Sequence, residues 1–198
     1  MKWVILAIAL FIIGYTVVMV FYRKPGKAYR PYQDSTDRAT VARLLSSGYQ
    51  RASLIVDRPA DPSRELAIPL GGMARTKSAP GGFPGNLDAA MIEKPLLADS
   101  YSNVAAPSSA QGAQPYRILL TANLPDNKRM IAGAVLFRRG KELSVVPVFE
   151  RISGSLQARW RETSVLVTVP ADTLPAGKYE LTLIGGKSSQ SWLLDLRQ

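Results

Sequence analysis

The chain has 198 residues, a formal net charge of +10, no cysteine and no histidine. Without histidine it lacks the commonest general base and the commonest metal ligand, so Ser-His-Asp and Cys-His catalysis are excluded. Without cysteine there are no disulfides, no Cys/His zinc sites, no iron–sulfur clusters and no c-type haem attachment.

The first element is the uncharged run from Trp3 to Tyr22. As a helix it spans about 30 Å, the thickness of a bilayer's hydrocarbon core. A secretory signal has a shorter apolar region followed by small residues at its cleavage site. Here the run ends in Val20, Phe21, Tyr22, Arg23 and Lys24, bulky and basic residues. The sequence therefore predicts an uncleaved single-pass anchor over 1–29. Trp3 and Tyr22 mark its two membrane interfaces, and Arg23, Lys24 and Lys27 reach for the headgroups. Four basic residues follow the span closely, which by the positive-inside rule favours a cytoplasmic body. Long domains translocate largely regardless of such charges, so the orientation stays open at this point.

Residues 30–97 read as an interaction arm. Lys24 to Tyr32 carries two prolines and reads as extended. A helix is expected over 36–47, capped by Ser35 or Thr36, with Asp37 complementing its dipole and Gly48 as its stop. Val41, Leu44 and Leu45 share one face of it, with Tyr49 adjacent and Arg38 and Arg43 leaving the other side. That face has three possible fates: lipid, a partner protein, or its own domain. Among these a protein contact is preferred to lipid, because the helix is short for a surface binder. "ASLIVD" and "RELAIPL" are candidate short strands, "GGMARTKSAPGGFPGN" reads as a Gly/Pro loop, and "LDAAMIEKPLLA" as one helical turn ended by Pro95. So little apolar surface does not offset the entropy of ordering this stretch alone, which points to order gained on a partner. Residues 98–115, rich in Ala, Ser, Pro and Gln, read as a linker.

From Tyr116 the pattern changes. "YRILLTA", "RMIAGAVLFRR", "ELSVVPVFE", "LQARWRE", "TSVLVTV", "KYELTLI" and "SWLLDLR" are apolar or alternating runs, each bounded by a turn signal. They predict a mainly β domain over 116–198, a seven-stranded immunoglobulin-like β-sandwich. "TLPAGKYELTL" places Tyr179 where a tyrosine corner belongs, its hydroxyl tying the strand back to the preceding turn. Trp160, Tyr179, Leu181, Leu183, Trp192, Leu194 and Leu196 are expected to point inward. For Trp160 and Trp192 the competing use is ligand stacking.

The positive charge is spread along the chain without a run of five like residues or a nucleic-acid-binding signature, and a body beside an anionic membrane explains it more simply. The acidic residues are scattered, and "GGMARTK" lacks the ending and the strand–helix setting of a phosphate loop. The expectation is a non-catalytic protein without metal, cofactor, small-molecule substrate or nucleic acid. Its partners are the membrane and other membrane-protein subunits, as accessory subunit or assembly factor of a larger complex. The alternative is a free-standing anchored binding module, which requires exposed aromatics on one face or loop cluster.

The order of parts, with "IAGAVLFRRGKELSVVPVFE", "DTLPAGKYELTLIGG" and "SWLLDL", resembles the FixH-like proteins. These are single-pass accessory proteins of haem–copper cytochrome oxidases. Pro175, Gly177, Tyr179 and Leu181 match a P-x-G-x-[WY]-x-L element of that family, with tyrosine where the family often has tryptophan; residues 30–115 have no counterpart. The resemblance implies a respiratory complex, the bacterial cytoplasmic membrane and a periplasmic body.

Overall fold

Six of the seven runs after Tyr116 are strands in the computed structural model, which describes residues 2–22, 31–58, 72–152 and 158–197. They are β5 (Tyr116–Asn123), β6 (Arg129–Arg139), β7 (Glu142–Arg151), β8 (Glu162–Val169), β9 (Gly177–Leu183) and β10 (Ser188–Arg197). Of the seventh, "LQARWRE", residues 158–161 form no ladder, and 156–157 lie outside the described residues. Arg159, Arg161 and Glu162 surround a single tryptophan there, and charge on both sides of a ring does not supply a buried face.

Four further strands lie where the sequence suggested arm, loop and linker: β1 (Gln50–Asp57), β2 (Lys77–Pro80), β3 (Ser100–Ala105) and β4 (Ser109–Gln111). The strand order is β2-β10-β9-β7-β6-β1-β8-β5-β3, with β4 added beside β10. β1 joins two sheets. Its residues 50–54 pair with β6, and Ile55, Val56 and Asp57 pair with Thr168, Val167 and Leu166 of β8. "ASLIVD" is therefore central rather than peripheral. The expected boundary at 116 is absent: Ala39–Gln198 is one compact unit and Met1–Arg38 another. The arm's missing apolar surface is supplied by strands far along the chain, which a local count of apolar residues does not see.

The mainly β, sandwich-like fold stands, but the seven-stranded immunoglobulin pattern needs correction. β7 pairs with β9 in parallel, as β4 does with β10, whereas that pattern rests on antiparallel sheets. Between the sheets lies one core. Ile118, Leu120, Val165 and Val167 face Leu136, Val145, Leu181, Leu183, Trp192 and Leu194. β6 and β7 read as nearly continuous apolar runs because both of their faces are buried. Leu136 and Val145 enter that core, while Val135, Phe137 and Val146 enter a second cluster on the other side.

Leu44 and Tyr49, with Leu87, Ala90 and Met91, cover that second cluster. Leu44 belongs to α2 (Pro31–Ser46), which begins before the expected start at 36. Pro31 suits a first helical position, where its fixed φ is compatible and its missing N–H costs nothing. At the other end Gly48 takes φ +79°. Its N–H donates to Leu45 O, and the Tyr49 N–H donates to Leu44 O at 2.8 Å, the paired bonds of a Schellman stop. Tyr49 thereby lands on Leu44. Leu87, Ala90 and Met91 come from α3 (Gly85–Ala90) and the residue after it, where one turn was expected.

Lys2–Tyr22 is one uninterrupted helix, α1. Among the described residues no helix is long and apolar enough to cross a membrane. Within α1 the side chains at 5, 9 and 18–22 lie outside the described ones, so its longest described run is 10–17.

Candidate binding surfaces

The predicted contact residues divide by burial. Leu44 is 2% and Tyr49 4% exposed, so both are spent on the chain's own core and cannot serve a partner. Helical geometry explains the split: one face of a helix rests on the sheet and the neighbouring residue is turned by about 100°. Leu45 thus stands 61% exposed; Val41, one turn before Leu44, is 39% exposed, and Arg38 and Arg43 are exposed as well. Arg139 stacks over the Tyr49 ring at 5.6 Å, closing the edge of the cluster. At the proposed membrane interface, Trp3 is 82% exposed at the start of α1. Tyr22 ends α1, and Arg23, Lys24 and Lys27 lie outside the described residues.

The interior aromatics form a hydrogen-bonded set. Trp192 Nε1–H donates to Tyr116 Oη at 3.0 Å, and the Tyr116 hydroxyl donates to Pro107 O at 2.9 Å. The Tyr101 hydroxyl donates to Ile184 O at 2.7 Å. Burial holds both phenols well above the usual tyrosine range; for Tyr116 the Trp192 bond works weakly the other way. These hydroxyls stay protonated and act as structural donors. The Tyr179 hydroxyl donates to Pro175 O at 2.7 Å, the predicted tyrosine corner. Trp192 is therefore a core residue whose polar edge is satisfied.

Trp160 corrects the inward expectation. It is exposed, with the Arg159 guanidinium over its ring at 5.6 Å. It lines a groove of about 570 Å³ with Ser102, Asn103, Thr121, Asn123, Arg161, Glu162 and Ser164. The β5–β8 ladder sets Thr121 opposite Ser164 and Asn123 opposite Glu162. Thr121 Oγ1 and Ser164 Oγ are 2.9 Å apart, and the Ser102 hydroxyl donates to the Glu162 carboxylate. Arg161 Nε–H donates to Asn127 Oδ1 at 3.3 Å. A sequence signal existed in the alternating Thr, Ser and Asn of β5 and β8. Only the pairing register collects them beside Trp160.

A second groove, also about 570 Å³, lies along β2 and β10 between Met73, Arg75, Lys77, Glu180 and Leu193. Among the described residues no group of three or more His, Cys, Asp or Glu side chains is placed to hold a metal ion. No family model matches the chain, and no curated protein or solved structure is similar to it.

Proposed function

We propose that this chain is a non-catalytic single-pass membrane protein that serves as accessory subunit or assembly factor of a larger membrane complex. The observation that carries the reading is the surface of α1. Leu10, Phe11, Ile12 and Ile13 leave the helix at about 100° steps and so point to four sides, each more than half exposed. A helix with an apolar stripe can dock on one sheet. A helix that is apolar all round needs an apolar surrounding on every side. Burying each such side chain is worth about 1.5–3 kcal/mol, so a bilayer is the economical environment for α1.

The exposed Leu45 and Val41, with Arg38 and Arg43, remain the residues for a partner contact on α2. Leu44 and Tyr49 are withdrawn from that role. The resemblance to FixH-like proteins supports a haem–copper oxidase as the complex, the bacterial cytoplasmic membrane as the place, and a periplasmic body. The test is gentle detergent extraction of the affinity-tagged full chain. Resistance to alkaline carbonate extraction and co-purification of oxidase subunits are expected. Release by carbonate removes the anchor, and purification without other membrane subunits removes the accessory role.

A further inference from the structure

The groove beside Trp160 differs in chemistry from the chain's other exposed apolar surfaces. Its floor is the paired Thr121–Ser164 and Asn123–Glu162 rows of β5 and β8, whose side chains are neutral hydroxyls and an amide apart from Glu162. Opposite residues of an antiparallel pair are about 4.5–5.5 Å apart. The floor thus offers donors and acceptors at a regular spacing. Arg161 and Glu162 bring opposite charges, so the lining is close to neutral. At its edge stands Trp160, 69% exposed.

We propose that this groove is a glycan-binding site, taking a neutral oligosaccharide whose pyranose rings lie along the β5–β8 rows and stack on Trp160. Three properties select that ligand class. A pyranose ring has an apolar C–H face that suits an indole, and equatorial hydroxyls that both donate and accept. Hydroxyl and amide side chains can answer either way, whereas a phosphate ligand would need a surplus of N–H donors and would meet the Glu162 carboxylate. An apolar ligand would cover the hydroxyl rows and leave without partners the protons and lone pairs that the Thr121–Ser164 and Ser102–Glu162 bonds do not use. The Arg159 guanidinium over the Trp160 ring restrains it, and at 69% exposure the side chain keeps surface for stacking, which lowers the ordering cost of binding. The inference does not depend on α1 or on the identity of a membrane complex.

The main competing occupant is an anionic membrane surface, drawn by Trp160 with Arg159, Arg161, Lys128 and Arg151 at the same end. The test uses the full chain in a detergent without a sugar headgroup, titrated with a glucose hexamer and an N-acetylglucosamine hexamer. At least one should bind saturably, with a Kd below about 1 mM, by calorimetry and by tryptophan fluorescence. Trp160→Ala should weaken that binding about tenfold or more while leaving the unfolding midpoint unchanged, and Trp160→Phe should restore most of it. Thr121→Val with Ser164→Ala should weaken it by a smaller factor. The proposal is overturned if neither hexamer binds, or if binding survives Trp160→Ala undiminished. It is equally overturned if the substitution affects only binding to phosphatidylglycerol vesicles.

Discussion

The two outer faces of the β body are finished in opposite ways. Over β6 and β7 the outer residues are Val135, Phe137 and Val146, and α2 with α3 covers them through Leu44, Leu87 and Ala90. Over β5 and β8 the outer face is mixed: Ala105, Leu119 and Leu166 form a small buried cluster, and toward one end the positions become Thr121, Asn123, Ser164 and Glu162, with an exposed tryptophan beside them. The covered face adds stability to the fold. The polar end of the other face contributes little to it and is therefore free to be selected for recognition. In one body, the apolar or polar choice at alternate strand positions separates a structural side from a binding side.

That contrast breaks first at Leu44. Leu44→Ala removes a fully enclosed side chain and should cost about 2–5 kcal/mol, read as a drop in the urea midpoint. Leu45→Ala, one residue on and 61% exposed, should change stability by less than about 0.5 kcal/mol. Equal effects would mean that α2 does not hold the face as described.

The layer between the faces is tested by pH. Tyr101 and Tyr116 have ionisation raised above the unfolded value near 10, because burial disfavours the phenolate. Above pH 10 the folded state then keeps protons that the unfolded state loses. Stability is full below pH 10 and falls as pH rises beyond it, by about 1.4 kcal/mol per pH unit for each tyrosine. Urea midpoints at pH 8, 10 and 11 should show the fall, and Tyr101→Phe should roughly halve it. A flat profile would show that the two sheets do not seal these hydroxyls.

The smallest effect is expected at the corner of β9. Tyr179→Phe removes the bond to Pro175 O and should cost about 0.5–1.5 kcal/mol. An unchanged midpoint would reduce the corner to packing alone.

The tyrosine corner, the Gly48 stop and six strands were legible because each depends on neighbours within a few residues. Alternation, a turn signal and a positive-φ glycine act locally, and the structure retains them. The same locality explains α1, whose unbroken apolar run makes a helix wherever it is placed.

What the sequence alone could not decide was which segments share a sheet. β1 contains only one buried side chain, Leu54, yet it joins both sheets, because β6 and β8 bring their apolar residues to it. The segment 98–115 holds short Ser and Ala runs that become strands only when β5 and β10 offer their open edges. Trp160 was expected inside because aromatic residues usually are. It lies outside because residues 158–161 form no ladder, so no alternation turns the ring inward. Local residues determined the elements and their caps. Long-range strand pairing decided which elements form the body, which face is covered, and where a polar groove meets an exposed tryptophan. The physical reason is that a strand's backbone hydrogen bonds and buried face are completed by another strand, and the identity of that strand is not written in its own residues.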